Sequence, residues 1–439
     1  MHRPDTARRP GPARRALLAL AALVLLALAA SAPVPAQSPR TVSFMVFGDP
    51  AELAAYRALV DDFHAAQAEV RVEVREVADQ TDYRQRLGAD FAAGTVADVV
   101  FINYRRFAGF AARGLLTPLG ERMRTSPVLD EAAFYPESLA AFRWRGALQC
   151  IPQNLSSLVV FYNRDLLRAA GLPDPAPDWT WDDFLATARA LTADLDGDGR
   201  TDRHGLGIAP SMIRLAPFVW QNGAEIVDDP REPKRLGLDG TRAREAFTWF
   251  TELQTVHGVV PDPVAEVALP SEDRFLAGMV GMFLNSRRGV PTYRGAAAFD
   301  WDVAPLPQRI GPATVLHADA YCIPTVARDP DAAWAFVEHA NSPAGQELVA
   351  RTGRTVPSLR DVATSDAFLS PGLQPANSRA WLDAIPVTRA LPILEGWVDI
   401  EELADAEIER AFRGEVGVDA AIEAMIERTR PFFAVGGEG

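Results

Sequence analysis

The first third of the chain alternates between strand-type and helix-type patterns of apolar and polar positions. Thr41–Phe47 is a strand-type run, and Gly48-Asp49-Pro50 turns it into a helix on which Leu53, Tyr56, Val60 and Phe63 share one face. Val70, Val72 and Val74 alternate with Arg71, Glu73 and Arg75, the period of a half-buried strand. Tyr83, Leu87 and Phe91 then recur at i, i+4 and i+8, which predicts a second helix. Asp98–Ile102 reads as a short buried strand, and Arg105–Arg113 as a helix stopped by Gly114. Strands and helices alternating at this spacing predict a mostly parallel α/β sheet. Ligands of such sheets bind beyond the carboxyl ends of the strands, which are Gly48-Asp49 and Asn103-Tyr104-Arg105.

The middle of the chain turns on Gln149–Arg168. Two apolar runs, Cys150–Ile151 and Leu158–Phe161, flank a polar insert from Gln153 to Ser157, and Pro152 removes a ladder donor between them. The pattern fits a crossing between two lobes and equally an ordinary hairpin. Beyond it, Thr180 caps a helix over Trp181–Leu191, with Asp183 at the capping-box position. Phe218–Gly223 runs into a turn, and a helix over Arg242–His257 stops at Gly258. Met279–Leu284, Trp301–Leu306 and Tyr321–Ile323 are strand candidates; Asp331–Ala340, Ser365–Leu369, Ile400–Phe412 and Val418–Thr429 are helical.

At 439 residues two lobes are the default. Met1–Ala36 stands apart: five arginines precede a continuous Ala/Leu/Val run over Ala16–Ala30, and Val34-Pro35-Ala36 supplies a small-x-small site. The run is short of the ~20 apolar residues that span a bilayer, so it reads as a secretory signal peptide. The paired arginines leave a twin-arginine route open. Removing five Arg and one Asp takes the net charge from −14 to −18. Such acidity argues against a nucleic-acid partner or an anionic membrane surface. No cysteine ends the apolar run, which argues against a lipid anchor. Cys150 and Cys322 are the only cysteines; they pair in an oxidising compartment or stay as two buried thiols.

Asp194, Asp196, Asp198 and Asp202 occupy positions 1, 3, 5 and 9 of an EF-hand-type loop, with Gly199 at 6 and the Arg200 carbonyl at 7. Gly205 stands where the bidentate Glu belongs, so a structural calcium ion and a solvated Asp/Gly turn both fit. Signs of catalysis are weak. No nucleophile elbow, phosphate loop or His-Glu-x-x-His is present, and the five histidines that follow the initial segment (His64, His204, His257, His317, His339) are scattered at no metal-ligand spacing. Aromatic and polar residues instead recur together at Asn103-Tyr104-Arg105, Trp220-Gln221-Asn222, Asp319-Ala320-Tyr321 and Glu395-Gly396-Trp397. Sugars need that mixture, with rings for their C–H faces and polar groups for their hydroxyls.

The segments Phe91–Val100, Phe110–Leu119, Tyr162–Leu167, Trp179–Phe184, Trp220–Gly223 and Ala332–Val337 before Ser342-Pro343 follow one another from Thr41 to about Thr429. In that order they resemble the extracellular solute-binding proteins, family 1, that serve ABC importers of sugars and are similar to maltose-binding protein. The resemblance implies a two-lobed α/β periplasmic-binding fold (type II-like), with mixed sheets, flanking helices and a ligand cleft between the lobes. Lobe 1 is expected over 38–150 plus 303–356, lobe 2 over 151–302 plus 357–433, after a signal peptide over 1–36 and before a flexible tail over 434–439. It also implies a periplasmic monomer that closes on a sugar and delivers it to membrane permease subunits, with no catalytic residues and no required cofactor. Carried over by position, ligand contacts fall at Asp49, Asn103, Arg105, Asn154, Ser156, Ser211, Trp220, Asn222, Arg287, Arg288, Asp319 and Trp397. If Cys150 pairs with Cys322, the bond braces the root of the hinge. Where the family has an aromatic after Gly-Arg, this chain reads Ser286-Arg287-Arg288; with Arg105-Arg106 this fits an anionic sugar held by bidentate arginine, and also arginines that pair with surface carboxylates of the protein itself. The alternative class is an exported, calcium-supported carbohydrate-active enzyme.

Overall fold

The carboxylate of Asp49 fixes how the chain enters its first helix. In the computed structural model, which describes residues 38–434, strand β1 (Arg40–Phe47) ends at Gly48, whose φ of +154° is open to glycine. A Cβ there would lie 2.6 Å from the Glu52 Cβ. Helix α1 (Pro50–Ala66) then starts under a full capping box: Asp49 accepts from the backbone of Ala51 and Glu52, and Glu52 accepts from the Asp49 N–H. The alternation continues through β2 (Val70–Val77), α2 (Gln80–Ala93), β3 (Val99–Asn103) and α3 (Tyr104–Ala112). Gly94, at φ +69°, closes α2. The signal peptide expected over 1–36, and the expected tail past Ala434, lie outside the described residues.

After this α/β half, β4 (Ile151–Pro152), β5 (Ser156–Ser157) and β6 (Val159–Asn163) follow in quick succession, then α4 (Trp181–Leu191), β7 (His204–Gly207), α5 (Met212–Gln221) and α6 (Thr241–Thr255). Thr180 and Asp183 form the expected capping box on α4. Strands β8 (Val280–Asn285), β9 (Trp301–Ala304), β10 (Thr314–His317) and β11 (Asp319–Cys322) lead to α7 (Pro330–Asn341), β12 (Thr388–Arg389), α8 (Trp397–Phe412) and α9 (Val418–Phe433).

The strands sort into two main sheets and a small one between them. The first has the order β2-β1-β3-β11-β4, and the second β9-β6-β8-β7; the third, β12-β10-β5, uses the residues that pass from one to the other. β1 and β3 are parallel, whereas β11 runs antiparallel to both β3 and β4. The Gln149–Arg168 stretch is therefore a crossing rather than a hairpin: β4 pairs with β11 in the first sheet, and β6 with β8 and β9 in the second. A return crossing runs from β9 through β10 to β11. The boundary expected at 303 falls inside β9, because Val303 still pairs with Phe161 in the second sheet.

Period-two alternation along β6 serves two cores. Val159 and Phe161 join the cluster that contains β1, β3 and Trp381, while Leu158, Val160 and Tyr162 join the cluster under α4, α6 and α8. Helix α5 escaped the pattern because Pro217 stands in its interior, where proline ordinarily breaks a helix, and because it is buried on nearly every face.

Cys150 and Cys322 are disulfide-bonded, with Cα atoms 4.5 Å apart, next to the Ile151–Tyr321 pair of β4 and β11. The bond closes a separation of 172 residues at the root of the crossing. Replacing both cysteines by alanine is expected to lower stability by roughly 2–5 kcal/mol, by releasing that loop in the unfolded chain. Urea unfolding checks this, and an unchanged midpoint would mean that strand pairing alone holds the junction.

Candidate functional site

Asn103 is the last residue of β3 and the cap of α3, so its side chain stands at the carboxyl edge of the first sheet. Directly opposite in register is Asp319, the first residue of β11. Asn103 Nδ2 donates to Asp319 Oδ1 at 3.0 Å, and Asn154 Nδ2, from the β4–β5 crossing, donates to Asp319 Oδ2 at 3.3 Å. The Asp319 N–H donates back to Asn154 Oδ1 at 3.2 Å. One carboxylate thus ties a sheet edge to a crossing strand and forms the floor of a chamber of about 150 Å³. Its walls come from both sides: Phe47, Gln80 and Arg84 from the first sheet and its helices, Ile213 and Arg214 from α5, and Asn285, Ser286 and Arg288 from the end of β8. Ser156, His317, Arg354 and Thr355 come from crossing segments.

The chamber is cationic although the chain is acidic. Arg84, Arg105, Arg214, Arg288 and Arg354 line it, and Asp319 is the one lining carboxylate. Two carboxylates stand behind the arginines. Glu52, 1% exposed, faces Arg354 Nε at 2.8 Å and accepts from Arg288 Nη1 at 3.2 Å, and Glu401 of α8 pairs with Arg105. These contacts and the Thr292–Asp49 hydrogen bond join the first-sheet side to the second-sheet side. Burial lowers the Arg105 pKa, and burial together with the charge of Arg105 lowers those of Arg84 and Arg214. Burial and then Arg105, Arg214 and Arg288 hold His317 well below the usual imidazole range, so it is neutral at pH 7.

A second cavity, of about 490 Å³, shares Phe47, Gln80, Arg84 and Asn103 with the chamber. It is lined further by Tyr83, Leu87, Phe110 and Phe432, so it is mainly apolar.

Of the residues expected to contact ligand, the chamber brings together Asn103, Arg105, Asn154, Ser156, Arg288 and Asp319. The others lie elsewhere. Asp49 spends its carboxylate on the α1 cap and on Thr292. Ser211 precedes α5 and donates to the Ala209 carbonyl at 3.3 Å. Trp220 lies under the Arg389 guanidinium, 4.8 Å from the ring centre, and Asn222 donates to the Arg242 carbonyl. Trp397 is fully buried in the second core. Arg287 is fully buried between the rings of Phe368 and Trp381, at 4.3 and 4.8 Å, and donates to Gly353 O, Ser378 Oγ and Phe368 O. Both sit in the 3-10 turn Arg287–Gly289 after β8, where successive side chains diverge by about 120°, and only Arg288 lines the chamber.

The sequence reading missed Arg84, Arg214, His317 and Arg354. Arg214 follows Ser211 by one helical turn in a helix the pattern did not show, and Arg84 looks like any polar helix position. For Arg354 no local signal exists.

In the Asp194–Asp202 loop, one oxygen each of Asp194, Asp196 and Asp202 lies within 4.8 Å of the others. The carboxylates already accept backbone N–H groups: Asp194 from Gly197 and Gly199, Asp202 from Leu195, and Asp198 from Arg200. The loop lines neither of the cavities described above.

Residues 58–374 match the bacterial extracellular solute-binding proteins. The chain belongs to that family. Solved structures share its fold at low identity. An ABC substrate-binding protein from Listeria monocytogenes, in complex with cycloalternan, superposes with a TM-score of 0.82 at 21% identity, over 90% of this chain and 99% of that one. A solute-binding protein of an ABC transporter from Thermotoga lettingae, bound with α-D-tagatose, gives 0.79 at 20% identity, over 90% and 100%. Maltose-bound MalE3 of T. maritima gives 0.76 at 19% identity, over 88% and 98%. The two-sheet architecture with chain crossings between the sheets is the two-lobed fold of these binding proteins. Among the described residues no helix is long and apolar enough to cross a membrane.

Within this family fold, Arg287 pins the core. Arg287→Ala is expected to lower stability by about 3 kcal/mol or more, because three buried acceptors lose their donor. Urea unfolding reads the loss; a wild-type midpoint would place that side chain outside the core's hydrogen-bond network.

Proposed function

We propose that this protein captures a sugar in the chamber between its two sheets and delivers it to the membrane permease of an ABC importer. The observation that carries this reading is the position of the chamber. Its floor, Asn103–Asp319–Asn154, is built from a sheet edge and a crossing strand, and its walls come from both sides of the crossings. A ligand there touches both halves at once, so binding energy favours the closed arrangement over an open one. Carboxylate, amide and guanidinium groups offer the dense acceptors and donors that a ring of hydroxyls requires. The neighbours whose fold it shares are described with cycloalternan, tagatose and maltose.

On this reading the protein works as an exported, periplasmic monomer and binds without turnover. The segments Pro152–Ser157 and His317–Asp319, together with Arg354–Ser358, act as the hinge. Their backbones are cross-linked by Gln153 N–Asp319 O, Leu155 N–Val356 O and Ser358 N–Gln153 O bonds, so the halves would pivot together about a paired strip.

A melting-temperature series over mono- and oligosaccharides tests the reading. A ligand at a hundredfold excess over Kd stabilises by ~2.7 kcal/mol, a readily measured shift. Asp319→Ala is expected to weaken the bound sugar at least tenfold, read by titration of tryptophan emission, because it frees both asparagines at once. Conversion of an oligosaccharide to products by the pure protein would sink the binding reading.

A further inference from the structure

We propose that the chamber's ligand is a sugar bearing an oxyanion, a carboxylate or a phosphate, received by Arg84 and Arg214 from opposite walls. The inference rests on the reading of the chamber as a sugar site and narrows its substrate class.

The charge inventory carries it. Five guanidiniums line the chamber. Counting Asp319 on the floor with Glu52 and Glu401 behind the walls, three carboxylates face them. Arg105, Arg288 and Arg354 take Glu401 and Glu52. Arg84 and Arg214 have no ion pair or side-chain hydrogen bond among the described residues, and the Arg214 Nε is buried with no partner. His317 Nε2, in the same wall, is likewise buried and unpartnered.

Of the other acids near these two arginines, Asp79 caps α2 through the Thr81 and Asp82 N–H groups, and Glu402 faces Arg106 at 3.9 Å. Glu272 accepts from the Tyr293 hydroxyl and from Asn285. Asp405 accepts the Met212 N–H, and burial raises its pKa toward the neutral form.

Both guanidiniums belong to half-buried residues; a partly desolvated cation without a partner carries a cost, which is relieved when an anion takes the unspent donors. Guanidiniums present planar forks that match carboxylate and phosphate oxygens. Arg84 stands on α2 and Arg214 on α5, so an oxyanion reaching both would link the first-sheet side to the second-sheet side. The volume sets the size: a cavity of about 150 Å³ holds about one six-membered ring. A cationic recess also attracts anions locally, even in a chain of net charge −14.

The test compares glucose, galactose and mannose with glucuronate, galacturonate and glucose 6-phosphate by melting temperature and calorimetry, at low and at 0.5 M salt. At least one acidic sugar is expected to bind tenfold or more tighter than its neutral parent, with the gap narrowing in high salt. Arg214→Gln and Arg84→Gln are expected to lose tenfold or more for that acidic sugar. Arg214→Gln should also melt no lower than wild type without ligand, since it removes an unpaired, half-buried charge; a guanidinium serving the fold would make it melt lower. Neutral sugars that bind as well as acidic ones would overturn the inference and leave the sugar-binding reading standing. An absence of binding across the whole panel would overturn both.

Discussion

A chain that passes between two sheets leaves the ladders of both, and its backbone N–H and C=O groups must find partners on the way. Here the crossings satisfy one another. Gln153 donates to Asp319, Leu155 to Val356 and Ser358 to Gln153, and the Ser358 hydroxyl donates to the Pro152 carbonyl. Pro152 has no N–H to lose, which suits it to the point where β4 ends. Because these pairings bring three separate stretches of sequence side by side, the polar side chains between them, Asn154, Ser156, His317, Asp319 and Arg354, line one chamber. The site is a by-product of how the crossings are paired.

The same logic governs the charges. Glu52 lies at the first turn of α1, 1% exposed, and a carboxylate so buried requires cationic partners. It takes Arg354 from one crossing and Arg288 from the end of β8, which orients both guanidiniums at the chamber wall. Asp319 does for the amides of Asn103 and Asn154 what Glu52 does for the arginines. Two carboxylates, Glu52 buried and Asp319 half-buried, therefore preorganise most of the polar surface, and the groups they leave unspent point to the ligand's chemistry. Exposed pairs such as Arg124–Glu121 contribute little by comparison, since water screens them.

Much of the scaffold was legible from the pattern of residues. Strand alternation at Val70–Val74, the turn into a helix at Gly48-Asp49-Pro50 and the cap at Thr180 are local properties of backbone and neighbouring side chains, and the structure reproduces them. The site was legible only in part. Asn103 and Arg105 were named from the carboxyl end of β3 and Asp319 from the family resemblance, and all three line the chamber. Trp220 and Trp397 looked like sugar-stacking rings, but their indoles are worth more in the core than in a cleft, so both are buried.

Composition and periodicity by themselves determined that the chain builds α/β layers with polar strand ends, and the order of its segments marked the family. They left Gln149–Arg168 undecided between hairpin and crossing, and Cys150 and Cys322 between bond and thiols. Only the tertiary structure decided these, along with which of Arg287 and Arg288 faces the chamber and whether Arg84 and Arg214 meet a carboxylate. The reason is physical: a local pattern reports which face of an element avoids water, whereas charge partnership depends on residues that are hundreds of positions apart in the chain and adjacent only after it folds.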